Sequence, residues 1–281
     1  MIASFFVRRS LLPLLLALVA GTVFAQAQPA QKPFEPHVGQ EGKDVIWVPT
    51  PQELVDRMLD MAKVTANDFV IDLGSGDGIT VITAAKRGAR ALGIEYNPDM
   101  VELSNRNAAR AGVSGKARFV KADIFESDFS LATVITMYLL PQLNLKLRPK
   151  ILDLKPGTRI VSHAFTMGEW TADQTESVET RTAYLWIVPA KVEGAWQLAQ
   201  GELTLKQSFQ MFSGTLRTGG NMLTIANGKL RGDQISFSAG GAEYTGRVNG
   251  NTIQGTVKGS SSGSWNATRV GANLAATSAK Y

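Results

Sequence analysis

The 281-residue chain contains no cysteine, which removes disulfide scaffolds, thiolate zinc sites, iron–sulfur clusters and cysteine nucleophiles together. No metal centre is expected. Charge is also sparse: 19% of residues are charged against 44% apolar, a composition that builds a core and is neither a disordered chain nor an acidic tail. The net charge of +5 is too small for this length to mark a nucleic-acid or membrane binder by itself. Long apolar runs are absent beyond the N-terminus, and proline is absent after residue 195, where 14 of the 27 glycines lie. At roughly 100–200 residues per domain, the length allows about two domains.

The single apolar run, Leu11 to Val19, follows Arg8 and Arg9 and precedes the small residues around Ala25 and Ala27. It is shorter than the ~20 residues needed to cross a bilayer and is interrupted by Pro13. Residues 1–25 therefore read as a cleavable signal peptide, which predicts a periplasmic or secreted protein with no stable transmembrane span. Residues 26–44 are rich in Gln and Pro without apolar periodicity and read as a linker, with order expected from about Val45.

Thr50-Pro51-Gln52-Glu53 has the form of a capping box, and the helix after it places Leu54, Val55, Met58, Leu59 and Ala62 on one face. Strands are expected at Phe69–Leu73, Ala91–Glu95, Ala117–Lys121, Thr133–Tyr138 and Thr158–His163. Helices at Ile79–Arg87, Pro98–Ala111 and about Gln142–Leu154 alternate with them. Gly88 and Gly112 stand where helix C-caps belong, and Asn97-Pro98 supplies a cap with proline at the first helical position. This alternation predicts an α/β, doubly wound, mostly parallel sheet over residues 45–192. From 193 to 281 the pattern is all-β and antiparallel: alternation at Leu203, Leu205, Gln207, Phe209 and Met211, with Asn227-Gly228 and Asn249-Gly250 as hairpin turns, predicts a small meander, half-open barrel or sandwich of about six strands.

The candidate chemistry sits at the first strand-to-helix junction, Asp72-Leu73-Gly74-Ser75-Gly76-Asp77-Gly78. A dinucleotide fingerprint would require glycine where Ile79 or Val81 stands, and a P-loop would require a following Lys-Ser/Thr. Both phosphate readings fail. An acidic residue, Glu95, ends the second strand and suits both hydroxyls of a ribose. Asp123 follows the third strand beside Ile124 and Phe125, where a carboxylate suits an adenine amine. These residues describe an adenosine pocket without a pyrophosphate.

With DLGSGDG (72–78), GIEYNP (93–98) and KADIF (121–125) in this order, the chain resembles the class I, seven-strand, Rossmann-like S-adenosylmethionine-dependent methyltransferases over roughly Val45 to Pro189. The resemblance implies S-adenosyl-L-methionine as cofactor, with Asp72, Gly74, Ser75, Gly76 and Gly78 against its methionine and sugar, Glu95 on the ribose, Asp123 and Ile124 at the adenine, and the entry segment at Thr50 folded over it. Val48-Pro49-Thr50-Pro51 together with the loop is similar to bacterial relatives of the protein-lysine methyltransferases that act on a membrane ATP synthase subunit, which implies a protein side chain such as lysine as acceptor. The fourth strand ends Met137-Tyr138-Leu139-Leu140-Pro141 rather than in the Asn-Pro-Pro-Tyr of nucleobase-directed enzymes, so no specific nucleic acid is expected.

Tyr138, at the switch point of the sheet, is the candidate for orienting the acceptor, with a packing tyrosine as the other reading. His163 ends the fifth strand as either a structural residue or a base. Trp47 and Trp170 flank the same edge as pocket walls or as core. The Glu95 carboxylate has no evident cationic neighbour, which favours a binding role over a structural one. Because the donor is made in the cytoplasm, an exported chain raises an alternative: a non-catalytic binding or scaffold protein on a methyltransferase-like frame. Residues 26–195 hold 19 basic and 21 acidic side chains and residues 196–281 hold 8 and 3, so an anionic envelope component is expected to meet the C-terminal domain.

Overall fold

A computed structural model describes Met1 and residues 34–199, 201–259 and 262–271. The expected signal peptide and the first part of the linker, to Pro33, lie outside the described residues. Helix α1 (Gln52–Met61) buries Leu54, Val55, Met58 and Leu59 on one face. After it come β1 (Phe69–Leu73), α2 (Ile79–Lys86), β2 (Arg90–Glu95), α3 (Pro98–Arg110), β3 (Ala117–Lys121), β4 (Val134–Met137), α4 (Pro141–Leu152) and β5 (Arg159–His163). The sheet closes with β6 (Gln174–Val178) and β7 (Arg181–Ile187). Strand order is β3-β2-β1-β4-β5-β7-β6, parallel from β3 to β5, with β7 antiparallel to both β5 and β6.

Alternation along the strands feeds two cores. Val70, Val134 and Val161 point to the side covered by α1, α2 and α3. Ile71, Leu73, Ile135, Met137 and Ile160 point to the side of α4, where Leu147, Ile151, Trp170 and Trp186 complete the packing. Fully burying each such aliphatic side chain contributes roughly 1.5–3 kcal/mol. Helix ends follow local chemistry: the Asn97 side chain accepts from the Asp99 N–H, and Gly88 and Gly112 adopt positive φ beyond α2 and α3. Strand order reverses between β1 and β4, so the carboxyl ends of these strands open a crevice there.

The remaining strands, β8 (Gly194–Leu198), β9 (Gly201–Ser208), β10 (Met211–Thr218), β11 (Asn221–Thr224), β12 (Ala226–Arg231), β13 (Gln234–Ala239), β14 (Ala242–Asn249), β15 (Thr252–Gly259) and β16 (Gly263–Arg269), are all antiparallel. Eight of them close a barrel through the β9–β10 pairing, and β11 adds to β10 outside the ring. Closure removes the exposed edges that an open meander would leave. The interior is filled, with the Phe237 and Tyr244 rings stacked at 4.7 Å and both edge-on to Trp265.

Nine strands replace the expected six because glycines interrupt the apolar runs. Asn227-Gly228 is not a hairpin turn: Asn227 has φ 55° inside β12, at an irregularity of the β12–β13 register. Asn249 pairs with Thr252, so Gly250 and Asn251 form that turn and only Gly250 is at positive φ. The alternation from Leu203 stops at Gln207, since Phe209 occupies a left-handed turn position and the first buried residue of the next strand is Phe212. Sheet and barrel belong to one compact unit that begins at Phe34. They meet through the Ala190 N–H on the Gly232 carbonyl (2.8 Å), the Gln210 amide on the Thr171 carbonyl (2.7 Å) and stacking of Trp170 on Phe209 (6.1 Å). No helix among the described residues is long and apolar enough to cross a membrane.

Candidate functional site

A cavity of about 350 Å³ lies at the crevice between β1 and β4, within the size range of ligand pockets. It gathers Thr50, Asp72, Gly74, Ser75, Gly76, Glu95, Asp123, Ile124 and Tyr138 around one space. Gly78 is the exception among the candidate residues. It caps α2 at φ 85°, and a Cβ there would meet the Phe119 ring at 2.7 Å, so its glycine serves helix-to-sheet packing rather than the cavity.

The loop after β1 spends its amides internally. The Gly74 and Ser75 N–H groups donate to the Ile94 carbonyl (2.9 and 3.1 Å), Gly76 to Glu95 Oε2 (3.0 Å), Gly78 to the Ser75 carbonyl (2.9 Å) and Ile79 to Asp77 Oδ1 (3.2 Å). Helix α3 holds the loop carbonyls, with Ser104 Oγ on Gly76 and Asn107 Nδ2 on Asp77, both at 2.8 Å. With so few free donors the loop is no phosphate cradle, in line with the missing phosphate-binding fingerprints. It is a close-approach surface.

Glu95 corrects an expectation. Its Oε1 accepts from the Asn97 N–H (2.9 Å) while Oε2 holds Gly76, so the carboxylate has a structural purpose in joining two loops. An ionised carboxylate offers about four acceptor sites, which leaves capacity for ribose hydroxyls. Asp72 is buried at 6% exposure with one hydrogen bond, from Thr136 Oγ1 at 2.7 Å. Burial, with the Glu95 and Asp77 carboxylates nearby, pushes it up to about 7. The Ser75 hydroxyl is buried without a hydrogen-bond partner. A buried carboxyl poised to ionise beside a cation, an orphaned hydroxyl, spare acceptor capacity on Glu95 and an acidic group at Asp123 fit a cationic adenosyl ligand such as S-adenosylmethionine.

The end of the segment read as linker, to residue 44, contributes to this site together with the residues that follow it. Residues 39–47 form a small hairpin, with Gly39 N–H on the Trp47 carbonyl, Trp47 N–H on the Gln40 carbonyl and Gly42 N–H on the Val45 carbonyl. It lies against the glycine loop: a Cβ on Gly76, at φ 54°, would stand 2.8 Å from Trp47 Nε1. Gln40 Nε2 reaches Met100 Sδ at 3.7 Å, and Lys43 pairs with Asp123 and lies 4.7 Å from the Tyr96 ring centroid. Trp47 is thus a cavity wall, whereas Trp170 is fully buried core. The Lys43 hydrogen bond, with a second from the Phe125 N–H, holds the Asp123 carboxyl below its ordinary range. An adenine amine on Asp123 would have to displace Lys43, so Lys43→Met is expected to tighten S-adenosylmethionine binding by about two- to fivefold, the scale of one exposed ion pair, when titrated by calorimetry. Unchanged or weaker binding means that the pair does not compete with the donor.

At the other end of the cavity, Thr50 is not a helix cap. Pro51 occupies the N-cap of α1 without a side-chain bond, and the Thr50 hydroxyl is hydrogen-bonded to His163 Nδ1 at 3.1 Å. His163 stacks on Tyr138 with ring centroids 3.8 Å apart, and Phe165 stacks on Tyr138 at 6.1 Å. The lining here is Pro49, Thr50, Tyr138, Leu140, Leu143 and Phe165, which bring no charged side chain.

Comparison with known proteins agrees with this geometry. The ANTKMT methyltransferase domain family matches residues 72–174. A protein-lysine N-methyltransferase of Saccharolobus islandicus is 44% identical over 151 residues, covering 51% of this chain and 94% of that protein. A Homo sapiens lysine N-methyltransferase named for an ATP synthase subunit is 34% identical over 177 residues, covering 61% and 73%. A crystal structure described as an RNA methyltransferase from Salinibacter ruber with S-adenosyl-L-homocysteine is 50% identical, with a TM-score of 0.51, covering 52% of this chain and 96% of that one. By sequence, sheet order and pocket, the chain belongs to the class I S-adenosylmethionine-dependent methyltransferases.

Proposed function

We propose that the protein transfers methyl groups from S-adenosylmethionine to a lysine side chain of a protein acceptor. The observation that carries this reading is the uncharged, partly aromatic acceptor end formed by Pro49, Thr50, Tyr138, Leu140, Leu143 and Phe165. The protein-lysine N-methyltransferases among its relatives support it. When bound, S-adenosylmethionine supplies a methyl group already activated on a sulfonium. The chain must align the acceptor, exclude water and let one proton go. A lysine ammonium entering this apolar end loses hydration, which favours its neutral form and releases the proton to solvent, leaving a nitrogen lone pair to attack. Tyr138, the residue after β4, lines this cavity, and in this reading its hydroxyl orients that amine.

The Salinibacter structure raises a second reading, RNA as acceptor. Transfer of tritiated methyl groups to extracts of cells lacking the protein separates the two. The lysine reading predicts label in protein, recovered as methyl-lysine after acid hydrolysis; label in nucleosides overturns it. A non-catalytic scaffold is not favoured, since the relatives are methyltransferases and the donor pocket retains its carboxylates. We also propose export, on the strength of Arg8, Arg9 and the Leu11–Val19 run, and contact of an anionic envelope component with the basic barrel. Cell fractionation checks the first: a cytoplasmic, unprocessed chain contradicts it. Salt-insensitive binding to anionic polymer contradicts the second.

A further inference from the structure

We propose that His163 is a positioning residue for methyl transfer: held by Thr50 and by the turn after β5, its ring fixes Tyr138 so that Tyr138 and Phe165 face the acceptor as one aromatic wall. The proposal rests on the reading of Tyr138 as part of the acceptor end. His163 itself is 3% exposed and is not among the residues lining the cavity, so it acts through its neighbours rather than on substrate.

Three elements converge on the imidazole. From the entry segment, the Thr50 hydroxyl takes Nδ1. From β4, the Tyr138 ring lies against its face, 28° from parallel. From β7, the Arg181 guanidinium supplies the charged neighbour. The chain then reverses within three residues: Ala164 sits at φ 64°, a left-handed conformation unusual for a residue with a Cβ, its N–H donates to the Thr182 carbonyl (2.7 Å), and the Phe165 N–H donates to the His163 carbonyl (2.8 Å). This reversal brings the Phe165 ring to Tyr138 as well, 22° from parallel. Strain kept at a single residue beside the cavity has a purpose if the placement of these rings matters.

Charge points the same way. Burial, aided by Arg181, lowers His163 to about 4, so the ring is neutral at physiological pH. An imidazolium against Tyr138 would repel a cationic donor, whereas neutral aromatic faces accommodate positive charge. A general base would need to reach the acceptor proton, and this ring is screened from the cavity by Tyr138.

The test uses the full-length protein, tritiated S-adenosylmethionine and a protein extract of cells lacking the chain as acceptor, with S-adenosylhomocysteine affinity measured by calorimetry. His163→Ala is expected to lower kcat by about tenfold or more, the cost of a misplaced wall, with S-adenosylhomocysteine affinity within about twofold of wild type. His163→Phe restores most of the loss, and its kcat profile between pH 6 and 9 keeps the wild-type shape. Because the effect passes through Tyr138, the double variant His163→Ala/Tyr138→Ala is no slower than Tyr138→Ala alone. Should His163→Ala melt too early to assay, Thr50→Val, which keeps the side chain's volume at the acceptor end while removing its hydrogen bond to His163, shifts kcat in the same direction by less than His163→Ala. Full activity of His163→Ala, strictly additive losses, or a His163→Phe enzyme as slow as the alanine variant with an altered acid limb overturns the proposal alone. No label with wild-type protein overturns the lysine-acceptor reading, and this proposal with it.

Discussion

Glu95→Ala is expected to weaken S-adenosylmethionine binding by roughly 100-fold or more, because two hydrogen bonds to a charged carboxylate, each contributing about 1.5–3 kcal/mol, are lost with little to replace them. The loss has two sources. One is the ribose contact proposed for Glu95; the other is the release of the Gly76 and Asn97 N–H groups that Glu95 now holds. Glu95→Gln separates them, since an amide oxygen accepts one of those N–H groups but cannot serve both loops and both hydroxyls. Calorimetric titration should place Gln between wild type and Ala, at about a tenfold loss. An alanine variant with wild-type affinity would remove the ribose assignment.

Donor binding should also carry a pH signature from Asp72. Its carboxyl titrates near 7 in the free protein, and a cationic donor favours the ionised form. Proton and donor therefore compete: affinity is expected to fall by up to about tenfold per pH unit below 7 and to level off above it. Asp72→Asn should bind weakly at every pH, without the slope. The sign for stability is the reverse in the free protein. The unfolded carboxyl ionises near 4 while the native one keeps its proton to about 7, so free-protein stability falls as pH rises through that window. The gap between melting temperatures with and without donor should accordingly widen from pH 5 to pH 8. A gap that stays constant in wild type would show that Asp72 does not sense the donor.

Most of the parallel sheet was legible because its central strands β1, β4 and β5 are buried runs and because glycines and capped helices mark the ends of the elements between strands. Phe69–Leu73 and Ala117–Lys121 match β1 and β3 residue for residue. The barrel was harder. Its strands are polar outside and broken by inward glycines such as Gly246 and Gly255, which face each other across β14 and β15, so apolar alternation is lost just where the strands pair. Asn227-Gly228 carries the signature of a hairpin yet forms a bulge, because tertiary pairing of β12 with β10 and β13 overrides the local preference.

In the site, the carboxylates and glycines were readable because their spacing follows from strand ends. Trp47 was read as a possible pocket wall, but the contribution of residues 39–44, read as linker, was not readable. That hairpin has no periodicity and few bonds of its own; it is placed by Trp47 against Gly76 and by Lys43 on Asp123, contacts between positions about 30 to 80 apart in sequence. Thr50 shows the same limit in reverse. Its capping-box sequence is intact, but His163, 113 positions away, takes the hydroxyl instead.

The most direct test is a crystal structure of the protein with S-adenosylhomocysteine. The prediction is one ligand in the crevice between β1 and β4, its ribose hydroxyls on Glu95, its adenine amine on Asp123 with the Lys43 ammonium displaced, and its sulfur directed toward the space bounded by Tyr138 and Phe165. A ligand bound elsewhere, or an adenine away from Asp123 with the Lys43 pair still closed, would contradict it.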